Sequence, residues 1–196
     1  MITLPDPDRQ GQVSVEAALQ GRLSCRRYGP GPLTLAHLSQ LLWAAQGITR
    51  PGGRRSAPSA GGLYPLEIYV TAGDVRELES ALYHYRPRNH ALELLLSGDC
   101  RGELAAAALG QESVAKAPLS LVLTAVFERS AVKYGSRARR YVHMEIGHVA
   151  QNIYLQATAL GLGTVVVGAF VDDRVQALLH LQKEEPLAIM PVGRLP

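Results

Sequence analysis

Cysteine and metal-binding patterns are nearly absent from the sequence. Cys25 and Cys100 are the only cysteines in 196 residues, and no Cys-x-x-Cys occurs. A disulfide framework and a thiolate zinc site are therefore excluded as organising features. The six histidines show neither His-x-His nor His-x-x-x-His spacing, so the sequence predicts no metal site.

The sequence also has little excess of positive over negative charge. Lys and Arg total 20 against 17 Asp and Glu, which gives a net charge of +3. That excess is too small for a nucleic-acid coat, and the arginine clusters at 26–27, 54–55 and 137–140 lack interleaved aromatic residues. A nucleic-acid module is therefore disfavoured, while local sites for small anions remain open.

No hydrophobic run approaches the length of a membrane span, and the start of the chain has no basic segment followed by an apolar one. We therefore expect a cytoplasmic protein. With 47% hydrophobic residues, the length suits one core. We expect a single domain over residues 1–196, with an N-terminal extension over residues 1–12.

Hydrophobic periodicity predicts alternating helices and strands. Helices are expected after the cap Ser14, from the cap Thr34 to a stop at Gly47, and at residues 103–109 and 136–160. A further helix is expected from a cap at Asp172 or Asp173 through Leu181. Strands are expected at 66–72, in a hairpin around 83–85 and 92–95, and at 119–127, 164–170 and 187–192. Residues 50–65 are too rich in Gly and Pro for a regular element. The pattern indicates an α+β sandwich of helices around a mainly antiparallel sheet.

The first candidate site is Arg22-x-Ser24-x-Arg26. Alternate residues of an extended segment face the same way, so two guanidinium groups and a hydroxyl can meet one anion, such as a phosphate monoester. The alternative is a solvated basic loop.

The second candidate is the small-residue run at 58–62, where Pro58, Ser59 and Ala60 precede two glycines. Small side chains let main-chain N–H groups come close to a planar or anionic ligand. The run has neither P-loop nor Gly-x-Gly-x-x-Gly spacing, so no nucleotide site of those kinds is predicted. A plain surface turn is the alternative.

Two further candidates flank the long predicted helix. Lys133 and Tyr134 precede it, and a lysine beside a phenol, with the arginines at 137–140 nearby, can exchange a proton near neutral pH. An exposed lysine and an edge tyrosine are the alternative. His148 and Asn152 share one edge of that helix and could contact a heterocycle, but we expect His148 to have a structural role.

These four pieces together resemble the FMN-dependent nitroreductase superfamily, and most closely its SagB-type dehydrogenase branch, which is related to azoline oxidases. The resemblance runs from about Arg22 to Pro196. The phrases that carry it are PLTLAHLSQLLWAAQGIT, APSAGGLYPLEIYV, LYHYRPRNHALELL, KYGSRARRYVHMEIGHVAQNIYLQATALGLGTVVVGAF and PLAIMPVGRLP.

The resemblance implies one FMN per site and a homodimer with the sites at its interface. Arg22 and Ser24 would hold the phosphate and ribityl end, with Arg26 near the pyrimidine edge, where a cation stabilises the reduced ring. Gly168 would offer its N–H to flavin N5, and Arg194 would complete the phosphate clamp. Pro58, Ser59 and Ala60 would approach the isoalloxazine from the second subunit.

By the same resemblance, Lys133 and Tyr134 match the Lys-Tyr pair of the azoline-oxidising members. Lys133 would take a substrate proton while a hydride passes to FMN, Tyr134 would assist, and oxygen would reoxidise the flavin. Two other functions remain open: an NAD(P)H-dependent nitro or quinone reductase, in which Lys133 would be dispensable, and a flavin-binding protein without turnover.

The sequence departs from the family pattern in two places. Many nitroreductases have Asn and Gln where this chain has Gly62 and Tyr64, so side-chain contacts from those positions are not carried over. The sequence ends at Pro196, just after Arg194, and shows no separate peptide-recognition domain. We therefore expect either a small substrate or a peptide that a partner protein presents.

Overall fold

A computed structural model describes all residues from 1 to 196. In chain order, its strands are β1 (Ile2–Thr3), β2 (Leu33–Thr34), β3 (Ile48–Arg50), β4 (Arg54–Arg55), β5 (Leu66–Ala72), β6 (Val75–Arg76), β7 (Ala81–Arg86), β8 (Ala91–Ser97), β9 (Leu119–Ala125), β10 (Leu162–Thr164) and β11 (Glu185–Arg194). Its helices are α1 (Val15–Gly21), α2 (Leu35–Gln46), α3 (Arg101–Ala107), α4 (Glu112–Lys116), α5 (Phe127–Tyr134), α6 (Ala138–Ala159) and α7 (Asp172–Leu178). Two 3₁₀ turns lie at Ala60–Gly62 and Gly135–Arg137.

Seven strands form the central sheet in the order β1-β8-β7-β5-β9-β11-β10, and every neighbouring pair is antiparallel. Strand β9 lies between β5 and β11 and is buried along its whole length. A continuous apolar run of this kind suits a strand that is covered on both faces. The predicted α+β fold with a mainly antiparallel sheet is confirmed.

Helices cover both faces of this sheet. Successive strand side chains point to opposite faces, so Leu121 and Leu123 of β9 face α2 and α6, while Val122 faces α3 and α7. The α2–α6 layer is the larger of the two, with a core of 31 buried residues against 14 in the other. The long helix α6 therefore lies on the larger core.

Helix boundaries follow the predicted caps at two places. Ser14 Oγ accepts a hydrogen bond from the N–H of Ala17 (3.1 Å) at the start of α1, and Thr34 Oγ1 accepts one from His37 (3.1 Å) at the start of α2. Gly47 ends α2 as expected. In contrast, α7 begins without a side-chain cap, since its N-cap residue is Val171. The helix also ends at Leu178 rather than at residue 181.

The predicted strand over residues 164–170 is wrong. The strand β10 ends at Thr164, and beyond it only Val167 pairs, through one isolated bridge to Ile189. Val165 and Val167 are nevertheless buried, because their side chains pack against the core residues beside α7. Burial of these side chains does not require that the segment pair as a strand. The segment 119–127 is likewise shorter than predicted, because Val126 already caps α5.

Residues near the N-terminus pack on the domain. Strand β1 pairs with β8 at the edge of the sheet, and Leu4 is 4% exposed. The Ser39 hydroxyl of α2 donates a hydrogen bond to the carbonyl of Pro5 (2.5 Å). In this structure, no helix is both long and apolar enough to cross a membrane.

Candidate functional site

One group of predicted residues meets at the side of α6. Ser24 pairs with Thr164 at the end of β10, where the N–H of Cys25 donates to the Thr164 carbonyl (2.8 Å). Tyr154 of α6 lies against this segment, with its hydroxyl oxygen 3.0 Å from Ser24 Oγ. The Arg22 guanidinium carbon lies 5.2 Å from the centre of the Tyr154 ring, within the range of a cation–π contact.

The hydrogen bonds of Tyr154 leave donors free at this surface. The Tyr154 oxygen accepts from the N–H of Val166 (2.9 Å), so its own proton is available for Ser24 Oγ. With Tyr154 as the donor, the proton of Ser24 can serve an outside acceptor. Gly168 is exposed two residues beyond Val166, and its N–H bonds no group of the chain. The guanidinium of Arg22 and the hydroxyl of Ser24 suit a phosphate monoester.

The other two predicted arginines of this group are Arg26, on the same segment, and Arg194, at the end of β11. Arg194 pairs with Gly29 through the main chain, and its Nε donates to the carbonyl of Pro32 (3.1 Å). Arg26 is exposed and has no ion pair within the chain. The structure therefore joins Arg22 and Ser24 through Tyr154, but it does not bring Arg26 or Arg194 into that contact.

Glycines allow the segment to lie flat on the sheet. A Cβ at Gly193 would lie 2.5 Å from Cγ of Tyr28, and one at Gly163 would lie 2.7 Å from Sγ of Cys25. Both distances are too short for non-bonded atoms, so only glycine permits this approach. The Tyr28 hydroxyl also donates to the carbonyl of Pro191 (3.1 Å), which fixes the segment over β11.

The second group joins the small-residue loop to helix α5. The loop turns at Gly61, whose φ is +64°. A Cβ at this glycine would lie 2.8 Å from the Tyr134 hydroxyl and 3.2 Å from Lys133 Nζ. Lys133 and Tyr134 are the last two residues of α5, a helix that the sequence analysis missed. The Lys133 Nζ is exposed and lies 5.5 Å from the centre of the Tyr134 ring.

Ser59 is held at the base of this loop. Its hydroxyl oxygen accepts from the N–H of Tyr64 (2.9 Å), which stabilises the turn. Pro58 is exposed, whereas Ser59 and Ala60 are half-buried. The loop therefore presents small side chains beside a lysine and a phenol.

Glu145 of α6 lies beneath the loop and is 2% exposed. Burial raises the pKa of this carboxyl to about 7, although nearby Ser59, Arg55 and Gln46 each lower it. Its Oε1 has no hydrogen-bond partner. Glu145 falls within the long helix predicted from the sequence, but only the tertiary structure buries it against the predicted cofactor loop.

The remaining residues singled out from the sequence differ in their contacts. Asn152 donates to the carbonyl of Ala44 in α2 (3.0 Å), which is a structural role. The His148 side chain is exposed and makes no hydrogen bond within the chain, contrary to the structural role expected for it. Arg139 forms an ion pair with Glu185 (3.0 Å) and stacks on Phe127, so its charge is already engaged.

Tyr154 is the site residue that sequence reasoning missed. It packs beside the buried residues Ile153 and Ala157 of α6, and nothing in its spacing separates it from a core aromatic residue. Tyr64 occupies a position where the family often has a polar side chain. Its ring packs against another residue of the chain, with the ring centre 4.6 Å from the Arg55 guanidinium carbon.

Helix α6 connects the two groups, since it carries both Tyr154 and Glu145. Nine residues separate them, which corresponds to roughly 13 Å along a helix that rises 1.5 Å per residue. One chain therefore carries the group of Arg22, Ser24 and Tyr154 and, about two and a half turns away on the same helix, the carboxyl beneath the small-residue loop.

Comparison with known proteins gives a family match over most of the chain. The model of the Nitroreductase family matches residues 19–194. A nitroreductase-family protein of Methanocaldococcus jannaschii is 49% identical over 193 residues, which cover 98% of this chain and 96% of that protein. The Escherichia coli microcin B17-processing protein McbC is 29% identical over 169 residues, which cover 82% of this chain and 62% of McbC.

Solved structures give the same result. A Ralstonia eutropha protein of the same family superimposes with a TM-score of 0.88 and 35% identity, covering 100% of this chain and 89% of that one. A chain of the E. coli microcin synthetase complex McbBCD, solved with truncated pro-MccB17 bound, matches with a TM-score of 0.76 and 26% identity. It covers 100% of this chain and 79% of that one. The predicted resemblance to the nitroreductase superfamily and its SagB-type branch is confirmed.

Proposed function

Because the chain belongs to the nitroreductase family of oxidoreductases, we propose that it is an FMN-dependent, SagB-type dehydrogenase that oxidises a ring or amine-like substrate such as an azoline. The observation that carries this proposal is the close approach of the Gly61 turn to the Tyr134 hydroxyl and Lys133 Nζ, which would lie 2.8 and 3.2 Å from a Cβ at this position. It joins the loop expected at the flavin ring to the two groups expected to handle the proton.

Donor chemistry supports FMN as the cofactor. Arg22 and Ser24 would hold the phosphate and ribityl end, with Tyr154 orienting both side chains. The free N–H of Gly168 suits a hydrogen bond to flavin N5, and Arg26 and Arg194 would supply further positive charge. The residues present therefore fit FMN, which when bound supplies a two-electron acceptor for a hydride.

Lys133 and Tyr134 would complete the oxidation. Dehydrogenation of a C–N or C–C single bond removes a hydride and a proton from the substrate. We propose that Lys133 Nζ accepts the proton and that the Tyr134 hydroxyl, at the same glycine turn, hydrogen-bonds the reacting ring. The exposure of Lys133 leaves it accessible to a substrate.

Two partners are part of the proposal. A homodimer would bring the loop of one subunit to the FMN of the other, and an outward patch on α6 supports this. That patch contains Met144, which is 54% exposed, followed by exposed Gly147 and His148. McbBCD is a multiprotein complex with a precursor peptide bound, which supports a peptide substrate presented by a partner protein.

The test of the catalytic pair is Lys133→Ala, with Lys183→Ala, an exposed lysine in the turn after α7, as its matched control. The substrate is a synthetic peptide with one thiazoline ring, and mass spectrometry follows the loss of two hydrogen atoms. We expect Lys133→Ala to keep bound FMN and to lose about 10²- to 10⁴-fold in turnover, as for other general-base deletions. The control should match the wild type. Equal turnover by Lys133→Ala would refute the proton-transfer role.

A second candidate function is an NAD(P)H-dependent nitro or quinone reductase. The observation that favours it is the 49% identity to the M. jannaschii nitroreductase-family protein. In this case NADH or NADPH would bleach the flavin absorbance under anaerobic conditions, and Lys133→Ala would still reduce a quinone. If neither NADH nor NADPH bleached the flavin of the wild-type protein, and this protein oxidised the thiazoline peptide, the reductase function would be excluded.

A further inference from the structure

A polar cleft of about 570 Å³ opens between the β7–β8 hairpin and the start of α5, apart from the residues assigned to FMN. The β7–β8 turn supplies Arg88, and α5 supplies Arg129. The charged side chains that line the cleft are four arginines and two glutamates: Arg55, Arg86, Arg88, Arg129, Glu67 and Glu93. We name it the arginine cleft.

Two of its four arginines are neutralised by the cleft itself. Arg129 pairs with Glu67, whose second oxygen lies 2.8 Å from His84 Nε2. Arg86 Nε donates to Glu93 Oε2 (2.7 Å). These pairs account for both glutamates of the cleft, and neither Arg55 nor Arg88 forms an ion pair within the chain.

Arg55 is half-buried and is held in place by neutral groups. One guanidinium nitrogen donates to Gln46 Oε1 (2.7 Å), and the guanidinium carbon lies 4.6 Å from the centre of the Tyr64 ring. Burial lowers the pKa of Arg55, and the nearby carboxyls of Glu67 and Glu145 offset this effect only in part. A fixed, partly desolvated guanidinium with free N–H donors is stabilised when an anion binds it.

We propose that the arginine cleft is a binding site for one anionic group, a carboxylate or a phosphate, with Arg55 and Arg88 as its counter-charges. The planar guanidinium of Arg55 suits bidentate contact with either group. Arg88, exposed on the hairpin turn, closes the other side. Arg129 and Lys133 are four residues apart on α5, so they share a helix face and the cleft begins one turn from Lys133.

This position connects the cleft with the proposed reaction. If the dehydrogenase function holds, the anionic group is a substituent of the substrate whose reacting ring reaches Lys133. Binding of the anion itself does not depend on turnover, so it can be measured separately from the Lys133 experiment.

The test uses FMN-saturated protein, so that the phosphate site at Ser24 is already filled. Sodium glutarate and sodium phosphate are titrated at ionic strength matched with sodium chloride, and the arginine Nε–Hε signals are followed by NMR. Arg88→Ala removes one counter-charge, and Arg55→Lys keeps the charge but loses the bidentate fork. Arg54→Ala is the control, because Arg54 is exposed and does not line the cleft.

We expect saturable binding of at least one probe, weakened fivefold or more in Arg88→Ala and in Arg55→Lys and unchanged in Arg54→Ala. Preference for glutarate would identify a carboxylate ligand, and preference for phosphate a phosphorylated one. The proposal is overturned if neither probe binds, if Arg88→Ala binds as tightly as the wild type, or if Arg54→Ala loses as much affinity. Because Arg88 is exposed, its variant keeps the test valid even if Arg55→Lys does not fold.

Discussion

The hydroxyl oxygen of Tyr154 lies 3.0 Å from Ser24 Oγ, which joins α6 to the segment beside β10 across 130 residues of sequence. The same oxygen accepts from the N–H of Val166. One phenol therefore positions a serine and the start of the loop that carries Gly168. This geometry makes Tyr154 a positioning residue for the proposed FMN phosphate site.

Replacing Tyr154 with Phe should weaken FMN binding without unfolding the domain. The loss of one hydrogen bond that orients Ser24 is worth about 1 kcal/mol, or roughly a fivefold rise in the dissociation constant. Quenching of flavin fluorescence measures this constant. Tyr141→Phe is the control, since Tyr141 lies on the same helix and its hydroxyl makes no hydrogen bond. Equal affinities for the two variants would contradict the positioning role.

Replacing Gly61 with Ala should lower turnover more than replacing Gly62 with Ala. Both glycines have positive φ, +64° and +65°, so both variants carry the same backbone cost of about 1 kcal/mol. Only the Cβ at Gly61 meets Tyr134 and Lys133, whereas the Cβ at Gly62 has nothing within 4 Å. Steady-state kinetics with the thiazoline peptide should show a loss of at least tenfold for Gly61→Ala relative to Gly62→Ala.

If both glycine variants lost turnover equally, the contact with the Lys-Tyr pair would carry no function, and backbone strain would explain the effect. Thermal unfolding of the two variants checks the assumption that their backbone costs match.

The pH dependence of stability should reveal Glu145. Its pKa is about 7 in the folded protein against an ordinary 4.5, so between these values the folded state keeps a proton that the unfolded state releases. The free energy of unfolding therefore falls as the pH rises from 4.5 to 7 and stays lowered above that. At about 1.4 kcal/mol per pKa unit, the full effect is about 3 kcal/mol.

Glu145→Gln removes this titration and keeps the shape of the side chain. Its stability relative to the wild type should therefore increase between pH 4.5 and pH 8, as measured by urea unfolding at several pH values. Glu67, whose pKa is lowered by His84 and Arg129 against the raising effect of burial, titrates in both proteins and cancels. Glu16→Gln, on the exposed side of α1, should follow the wild type. A pH-independent difference for Glu145→Gln would show that Glu145 does not titrate in this range.

Local patterns were sufficient for much of the fold. Residues 66–72 alternate as a strand should and form β5 with the predicted bounds, while Thr34 and Gly47 delimit α2 as expected. Residues 164–170 are apolar and β-branched enough for a strand, yet they form a loop. Periodicity reports that side chains will be buried, but it does not report whether a neighbouring strand is available to pair.

Some residues of the candidate site were visible in the sequence, and others were not. Arg22-x-Ser24-x-Arg26 and Lys133-Tyr134 are visible as residue types at a spacing, and the family resemblance gives each a role. Tyr154 was not visible, because its partner Ser24 lies in a segment far away in sequence. The position of Arg55 was equally hidden, since a count of arginines does not reveal which of them form ion pairs.

The sequence by itself therefore determined the fold class, the positions of most helices and strands, and the family to which the chain belongs, because these depend on residue type and on order along the chain. The tertiary structure decided that Gly61 touches the Lys-Tyr pair, that Glu145 is buried beneath the loop and that Arg55 faces an open cleft. These are contacts between distant segments, and they form only when the sheet brings its loops and helices together, which no local pattern encodes.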